Sequence, residues 1–382
     1  MQNTSDYYKN VYANNHYAEV RLEVYSSDGN TLIHTFGMNR LVSMQTTRSG
    51  LPDDGFTVGA CIAGQIDVVL YPTDSNGNEV TIPSAARLVP KYRIWFSDDP
   101  ERAPSEWIKK GVYWLDERKK DTISGKVSLH GYDAIRIFDY MVTTIRSQNQ
   151  SGLNPVTPPE EVTRMVTTTV QDVDVMDYIA QVCNITVDPR TYNVITGSYY
   201  VNSAYKDYTA RQVLSYIAQP YCASFVMSDE GKLLAIDIEA ICSLNAPIVE
   251  DIQGAVTDFK KYDPHKNVSM VIINGVEYPS ATPGYYKSGA NGGTVIELVN
   301  PWGTQAMADD IRAKLFSYSY QPYEATGAKI DPAVEIGDKI TVMNFSNGLF
   351  MQTLNFDVSM TSQKIGAPSS GEITSEIESY VI

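Results

Sequence analysis

From His16 to about Asp139, apolar and polar residues alternate with a period of two, interrupted at short intervals by turn chemistry. Ala18 to Tyr25 alternates strictly, and Asp28-Gly29-Asn30 then turns the chain into Thr31-Leu32-Ile33-His34, which predicts an antiparallel hairpin. Val58 to Tyr71, Lys91 to Phe96, Gly111 to Glu117 and Lys126 to Gly131 add strands bounded by Pro, Gly, Asp or Ser. Short strands with turns between them predict a small barrel or sandwich. Asp133 to Thr144 then changes to a helical period, with Ile135, Phe138, Met141 and Val142 on one stripe. Ser147 to Glu161 combines three Pro with small polar residues, the composition of a linker, and marks a boundary.

Beyond the boundary, Val162 to Glu239 mixes helices with strands. Val173, Met176, Ile179, Ala180 and Cys183 fit one helix; Val213, Leu214, Ile217 and Ala218 fit a second, with Thr209 as its N-cap. Phe225-Val226-Met227, the turn Ser228 to Gly231, and Lys232 to Ile236 form the clearest hairpin of the chain. Strands return from Asp251, Val268 to Ile273 turning at Asn274-Gly275 into Val276-Glu277-Tyr278. Thr282 to Gly293 reads as a mobile glycine-rich loop, and Gly366 to Ile382 as a polar tail for a neighbouring molecule to order. Between them, Thr304 caps a helix over 304–318 with Met307, Ile311, Leu315 and Tyr318 on one face. Asp331-Pro332 and Gly337-Asp338 then supply turns before the strand Lys339 to Val342.

Three patches carry a resemblance to a known family. They are GFTVGACIAGQIDVVLY at 55–71 with WIKKGVYWLDERKKDTISGKVSLHGYDAI at 107–135, YTARQVLSYIAQPYCASFVMSDEGKLLAIDI at 208–238, and the helix-then-strand stretch 300–342. In this order the chain resembles the baseplate hub, or tail-associated, proteins of tailed phages, prophage particles and phage-tail-like bacteriocins. The resemblance implies an α+β, β-rich fold in which two small β-barrel-like modules, 1–145 and 246–382, flank inserted α/β domains at 146–245. It further implies a homotrimeric ring of six similar modules around an axial channel. Such a ring joins the tail tube, or a distal tail protein, and the tape measure protein to the spike or receptor-binding baseplate components, and it gates DNA ejection at the tail tip. The expected location is a virion or tail-like particle assembled in a bacterial cytoplasm, with no enzymatic activity. Some relatives continue into a peptidase or lysozyme-like domain; this sequence ends about forty residues after the last patch.

Composition narrows the picture further. At 382 residues and 43% hydrophobic content the chain can fill more than one core. Its 26 Tyr against 10 Phe and 4 Trp suit strands with one wetted face and, secondarily, subunit interfaces. Forty-five acidic against thirty basic residues, a net charge of −15, disfavour specific nucleic-acid binding. Solubility explains the excess first, and a DNA-repelling channel wall second. Neither a secretory signal nor a membrane span is legible, because the run from Gln2 to Asn15 is polar.

Candidate chemistry is sparse. Cys61, Cys183, Cys222 and Cys242 form no CxxC pair and read as buried free thiols; His16, His34, His130 and His265 have no metal-ligand spacing. His34 and His130 read as half-exposed strand residues and His265 as a turn residue. No GxSxG elbow is present, Gly125 is a plain turn, and Gly289 to Gly293 lacks the Lys-Ser/Thr of a phosphate loop. Asp98-Asp99 reads as a loop, Asp309-Asp310 as first-turn helix acids and Asp53-Asp54 as a turn, although two of forty-five acids could stand at glycosidase spacing. No catalytic, cofactor-binding or metal residue is assigned and no cofactor is expected. The rival reading is a carbohydrate- or cell-wall-binding or degrading tail protein in which Trp95, Trp107 and Trp114 form a stacking platform.

Overall fold

The computed structural model describes residues 1–52, 56–99, 101–139, 169–202, 208–243, 246–252, 256–264, 268–274, 285–290, 292–316, 318, 320–356, 361–368 and 373–378. The fold is α+β and β-rich, and a 14-stranded sheet dominates it. Eight strands of that sheet come from the N-terminal part, seven of them in one antiparallel row and the short Ile108–Lys109 off it on Arg87–Phe96. The row runs in the order Leu32–Gly37, His16–Tyr25, Arg87–Phe96, Tyr113–Lys120, Val127–Tyr132, Gln65–Leu70, Leu41–Ser49. The first and last of these seven are consecutive in sequence, joined by a turn in which Arg40 N–H donates to the Gly37 carbonyl at 2.9 Å. The row therefore curls around a core that includes Leu22, Phe36, Ile66, Val68, Leu88 and Leu129. No ladder joins those two strands among the described residues, so the curled sheet is not a closed barrel.

Instead the sheet runs on. Leu41–Ser49 pairs on its other side with Met351–Asn355, Met351 opposite Ser49 and Asn355 opposite Gln45. The path continues through Thr361–Ala367, Tyr323–Thr326 and Asp258–Tyr262 to Ile373–Glu378. N- and C-terminal strands thus share one hydrogen-bonded surface. Two three-stranded sheets accompany it, and the Gln305–Leu315 helix packs on the one built from Val268–Asn274, Tyr285–Gly289 and Thr294–Val299. Its Thr304 side chain accepts from Met307 N–H, and Met307, Ala308, Ile311 and Leu315 are buried, as the sequence spacing requires.

A second core is centred on the Asp172–Val182 and Ala210–Ala218 helices, the latter opened by a reciprocal capping box between Thr209 and Gln212. The hairpin Ala223–Met227 with Leu233–Asp237 separates the two cores. Alternation sends Phe225, Met227, Leu233 and Ala235 into the second core and Val226, Leu234 and Ile236 into the first. Both faces of the hairpin are buried, which is why its strands are apolar apart from Ser224 and Asp237.

Several expectations change. The helix expected over Asp133 to Thr144 is, where described, a short 3-10 segment, Ala134–Asp139, held at its start by Asp133, which accepts from Ile135 N–H. The loop expected at Thr282 to Gly293 contains the strand Tyr285–Gly289, because the exposed edge of Val268–Asn274 offers it a ladder. Where described, the tail expected from Gly366 is strand: Thr361–Ala367 lies in the sheet and Ile373–Glu378 pairs with Asp258–Tyr262. The polar run at Gln2 to Asn15 includes a helix, Asp6–Tyr12, capped by Ser5 and anchored by buried Tyr8 and Val11 at i,i+3 spacing. The linker 147–161, the turn after Asn274, His265 and Asp53-Asp54 lie outside the described residues.

Candidate functional site

The hairpin that separates the cores carries Asp229 on its turn into a buried meeting point of all parts of the chain. Gly231 closes that turn at φ +77, and a Cβ there would stand 2.7 Å from Val112 Cγ2, so glycine satisfies both the backbone and the space. Asp229 is fully buried and faces two cations, Arg48 from the Leu41–Ser49 strand and Lys110 just beyond Ile108–Lys109. Lys110 Nζ lies 2.5 Å from Asp229 Oδ2 and donates to the Val334 carbonyl at 3.0 Å. Gln2 Nε2 donates to the same carboxylate oxygen at 2.7 Å.

Glu335 extends the cluster. It accepts from Asp229 N–H at 3.0 Å and from Arg190 Nη1 at 3.0 Å, while Arg190 grips Asp188 with two bonds of 2.9 Å. Burial alone would raise the Asp229 carboxyl, but Arg48 and Lys110 outweigh it and hold the group below the usual carboxylate range. Burial pushes the Lys110 ammonium below the ordinary lysine value against the pull of Asp229. A fully desolvated cation of this kind persists because its partners are close and fixed.

Beside this junction lies a tyrosine–carboxylate group. Tyr8 Oη donates to Asp331 Oδ1 at 2.6 Å and stands 3.0 Å from Tyr92 Oη, and Tyr12 Oη donates to Glu250 Oε1 at 3.0 Å. Burial, then the charge of Asp331, lifts the Glu250 carboxyl to about 7; burial likewise raises Asp331. These bonds tie the Asp6–Tyr12 helix to the Ile248–Ile252 strand and to the loop at Asp331. Chemically the arrangement is a lock: buried opposite charges and capped carboxylates, with no exposed nucleophile beside a base.

The residues weighed from sequence fall elsewhere. None of the four cysteines forms a disulfide; Cys61 and Cys222 are buried, while Cys183 and Cys242 are partly exposed. His34 and His130 sit half-exposed in strands as expected, His130 Nδ1 being 2.7 Å from Asp67. No group of three His, Cys, Asp or Glu stands at metal-binding geometry among the described residues. Asp309 and Asp310 lie beyond the first helical turn, since the cap is at Thr304. Asp309 accepts from Gln305 Nε2 and Asp310 from Tyr199 Oη. The guanidinium groups of Arg21 and Arg93 stack on Trp107 at 3.8 and 4.5 Å, and Arg87 covers Trp114 at 4.9 Å, so both indoles already carry cations. Trp95 stands apart, beside Tyr17.

The lock has no contiguous motif in the sequence. One signal was available: the adjacent pair Lys109-Lys110 at the end of a strand, where alternation turns neighbouring side chains to opposite sides. Nothing local marks Arg48 or Asp229 as its partner, because the three are separated by long stretches of chain.

No protein-family model matches this chain, and no curated protein matches it. Among solved structures it is similar to the 43 kDa tail protein of prophage MuSo2 from Shewanella oneidensis, at 10% identity and TM-score 0.49 over 92% of this chain and 98% of that one. It is also similar to a tail protein from Neisseria meningitidis MC58, at 12% identity and TM-score 0.48 over 93% and 97%. A third is prophage tail protein gp18 from Listeria monocytogenes EGD-e, at 8% identity and TM-score 0.49 over 92% and 95%.

Proposed function

We propose that this chain is a structural component of a phage tail or phage-tail-like particle, acting as a baseplate hub. Three copies form a ring that connects the tail tube and tape measure to the tip or spike and gates the axial channel. The observation that carries the reading is the single sheet shared by N- and C-terminal strands, locked from inside by the Arg48–Asp229–Lys110 cluster. A body of that kind transmits force as a unit. Its sheet ends at two terminal strands, Leu32–Gly37 and Ile373–Glu378, each with one side unpaired among the described residues. Neighbouring copies arranged in a closed ring would cover such edges without open-ended aggregation. The three sequence patches at 55–135, 208–238 and 300–342 point to the same family.

Sedimentation of the purified chain at micromolar concentration tests this, with a discrete mass of three chains as the expected result. Labelled antibody on intact particles should mark the distal end of the tail. Single chains at all concentrations, or label confined to the tail shaft, would overturn the proposal.

A further inference from the structure

The Asp6–Tyr12 helix is too short to persist by itself: seven residues give about two turns, well below the length at which an isolated helix holds in water. Its order therefore depends on what it is docked against. Tyr8 and Tyr12, one turn apart, stack with 6.3 Å between ring centroids. Tyr8 Oη donates to the buried Asp331 and Tyr12 Oη to the half-buried Glu250, so two carboxyls from distant parts of the chain stand side by side against one helical face. The remaining hold includes buried Val11 and, near the start, Ser5, whose N–H and Oγ donate to Glu106 at 2.7 Å each. Tyr7 Oη donates to the Ala103 carbonyl at 2.5 Å.

The charges around this pair do not favour two anions. Burial and then Asp331, with Asp251 behind it, raise the Glu250 carboxyl to about 7, against the Tyr12 hydroxyl and the Asp331 amide, which lower it. Burial also raises Asp331, and Tyr8, the Ala333 amide, Lys110 and His16 offset only part of that rise. The neighbouring cations are engaged elsewhere. Lys110 is bound to Asp229 and the Val334 carbonyl; Lys339, on the strand beside Ile248–Ile252, donates to the Ser243 carbonyl at 2.8 Å. The His16 ring lies 5.2 Å from that of Tyr12, and Tyr92 brings a neutral hydroxyl to 3.0 Å from Tyr8 Oη. Two carboxyls so placed do not both ionise in the range where exposed ones do.

We propose that the Asp6–Tyr12 helix is a pH-governed latch, docked while one of the Glu250–Asp331 pair is protonated and released when both are ionised. The sign follows from linkage. A carboxyl whose folded-state value lies above the unfolded one, ordinarily about 4.3, stabilises the docked form fully below that unfolded value and ceases to do so as pH rises through about 7. Undocking frees Tyr8 and Tyr12 from their acceptors, and the helix, without a seat, unwinds. Release is local, because the Arg48–Asp229–Lys110 cluster that joins the strands does not pass through the helix. The latch goes beyond the ring reading and does not depend on it.

Hydrogen exchange of the full-length chain, with rates corrected for the intrinsic effect of pH, tests this at the Lys9 and Ala13 amides, which donate to the Ser5 and Lys9 carbonyls. Their protection should fall roughly tenfold or more from about pH 5 to about pH 8.5, while that of Val213 in the Ala210–Ala218 helix stays level. Glu250→Gln, neutral at every pH and still able to accept from Tyr12, should keep the helix protected across the range. Asp331→Asn, which removes the neighbouring charge, should move the fall to lower pH and shrink it, and His16→Gln should leave it in place. Level protection in the wild type overturns the latch, as does a fall that survives Glu250→Gln, is unmoved by Asp331→Asn or disappears with His16→Gln. A parallel fall at Val213 overturns it too, because the effect of pH is then global.

Discussion

Asp229 is the residue on which the buried charges depend, because Arg48 and Lys110 both take it as their anion. Replacing it with Asn leaves two desolvated cations without a counter-charge, a change that costs about 3–5 kcal/mol in buried pairs. Urea denaturation at neutral pH should show a loss of that size for Asp229→Asn, and a smaller one for Lys110→Met, which leaves Arg48 in place. A loss below about 1 kcal/mol would mean that the cluster is solvated. The pH dependence has a definite sign. The folded-state pKa of Asp229 is depressed, so its stabilisation is fully present above the unfolded value of about 3.9 and disappears as pH falls from there through the folded value. Asp229→Asn should flatten that acid limb of the stability curve.

At the level of elements, the Ala223–Met227/Leu233–Asp237 hairpin has two tasks that its turn must satisfy together. The strands divide two cores, and the turn delivers Asp229 while Gly231 passes against Val112. Gly231→Ala should therefore cost more than the roughly 1–2 kcal/mol of a left-handed backbone, because its Cβ meets Val112 as well. Adding Val112→Ala should remove the closest contact, at Cγ2, and recover that share of the steric cost while leaving the backbone part, a coupling that a double-mutant cycle measures directly. Full additivity of the two changes would show that the contact is relieved some other way. This hairpin and the Gln305–Leu315 and Ala210–Ala218 helices were legible in the sequence, since caps, glycines and apolar spacing are local signals. The Asp6–Tyr12 helix was not, because its two buried positions give too short a stripe to stand out from polar neighbours.

Across the whole molecule the decisive contact is the ladder between Leu41–Ser49 and Met351–Asn355, far apart in sequence and adjacent in space. Thr353 sits between Thr47 and Lys364, inside the sheet. Thr353→Pro removes a ladder hydrogen bond and crowds the neighbouring strand, so we expect a loss of about 3 kcal/mol or more together with loss of the assembled mass. The readouts are denaturation and sedimentation of the same sample. Retained assembly despite lowered stability would show that the ring does not depend on the continuous sheet.

The sequence by itself marked the strands His16–Tyr25, Gln65–Leu70, Arg87–Phe96, Tyr113–Lys120 and Val127–Tyr132, the hairpin Ala223–Met227 with Leu233–Asp237, and the caps at Thr209 and Thr304 that begin the Ala210–Ala218 and Gln305–Leu315 helices. Those outcomes depend on periodicity and capping within a few residues. Tertiary structure alone decided that the two β-rich ends share one open sheet rather than forming closed barrels, that the 285–289 and 373–378 segments become strands, and that Arg48, Lys110, Asp229 and Glu335 converge. Each of these requires a partner from a distant part of the chain, and a ladder edge or a counter-charge has no local signature until folding brings it close.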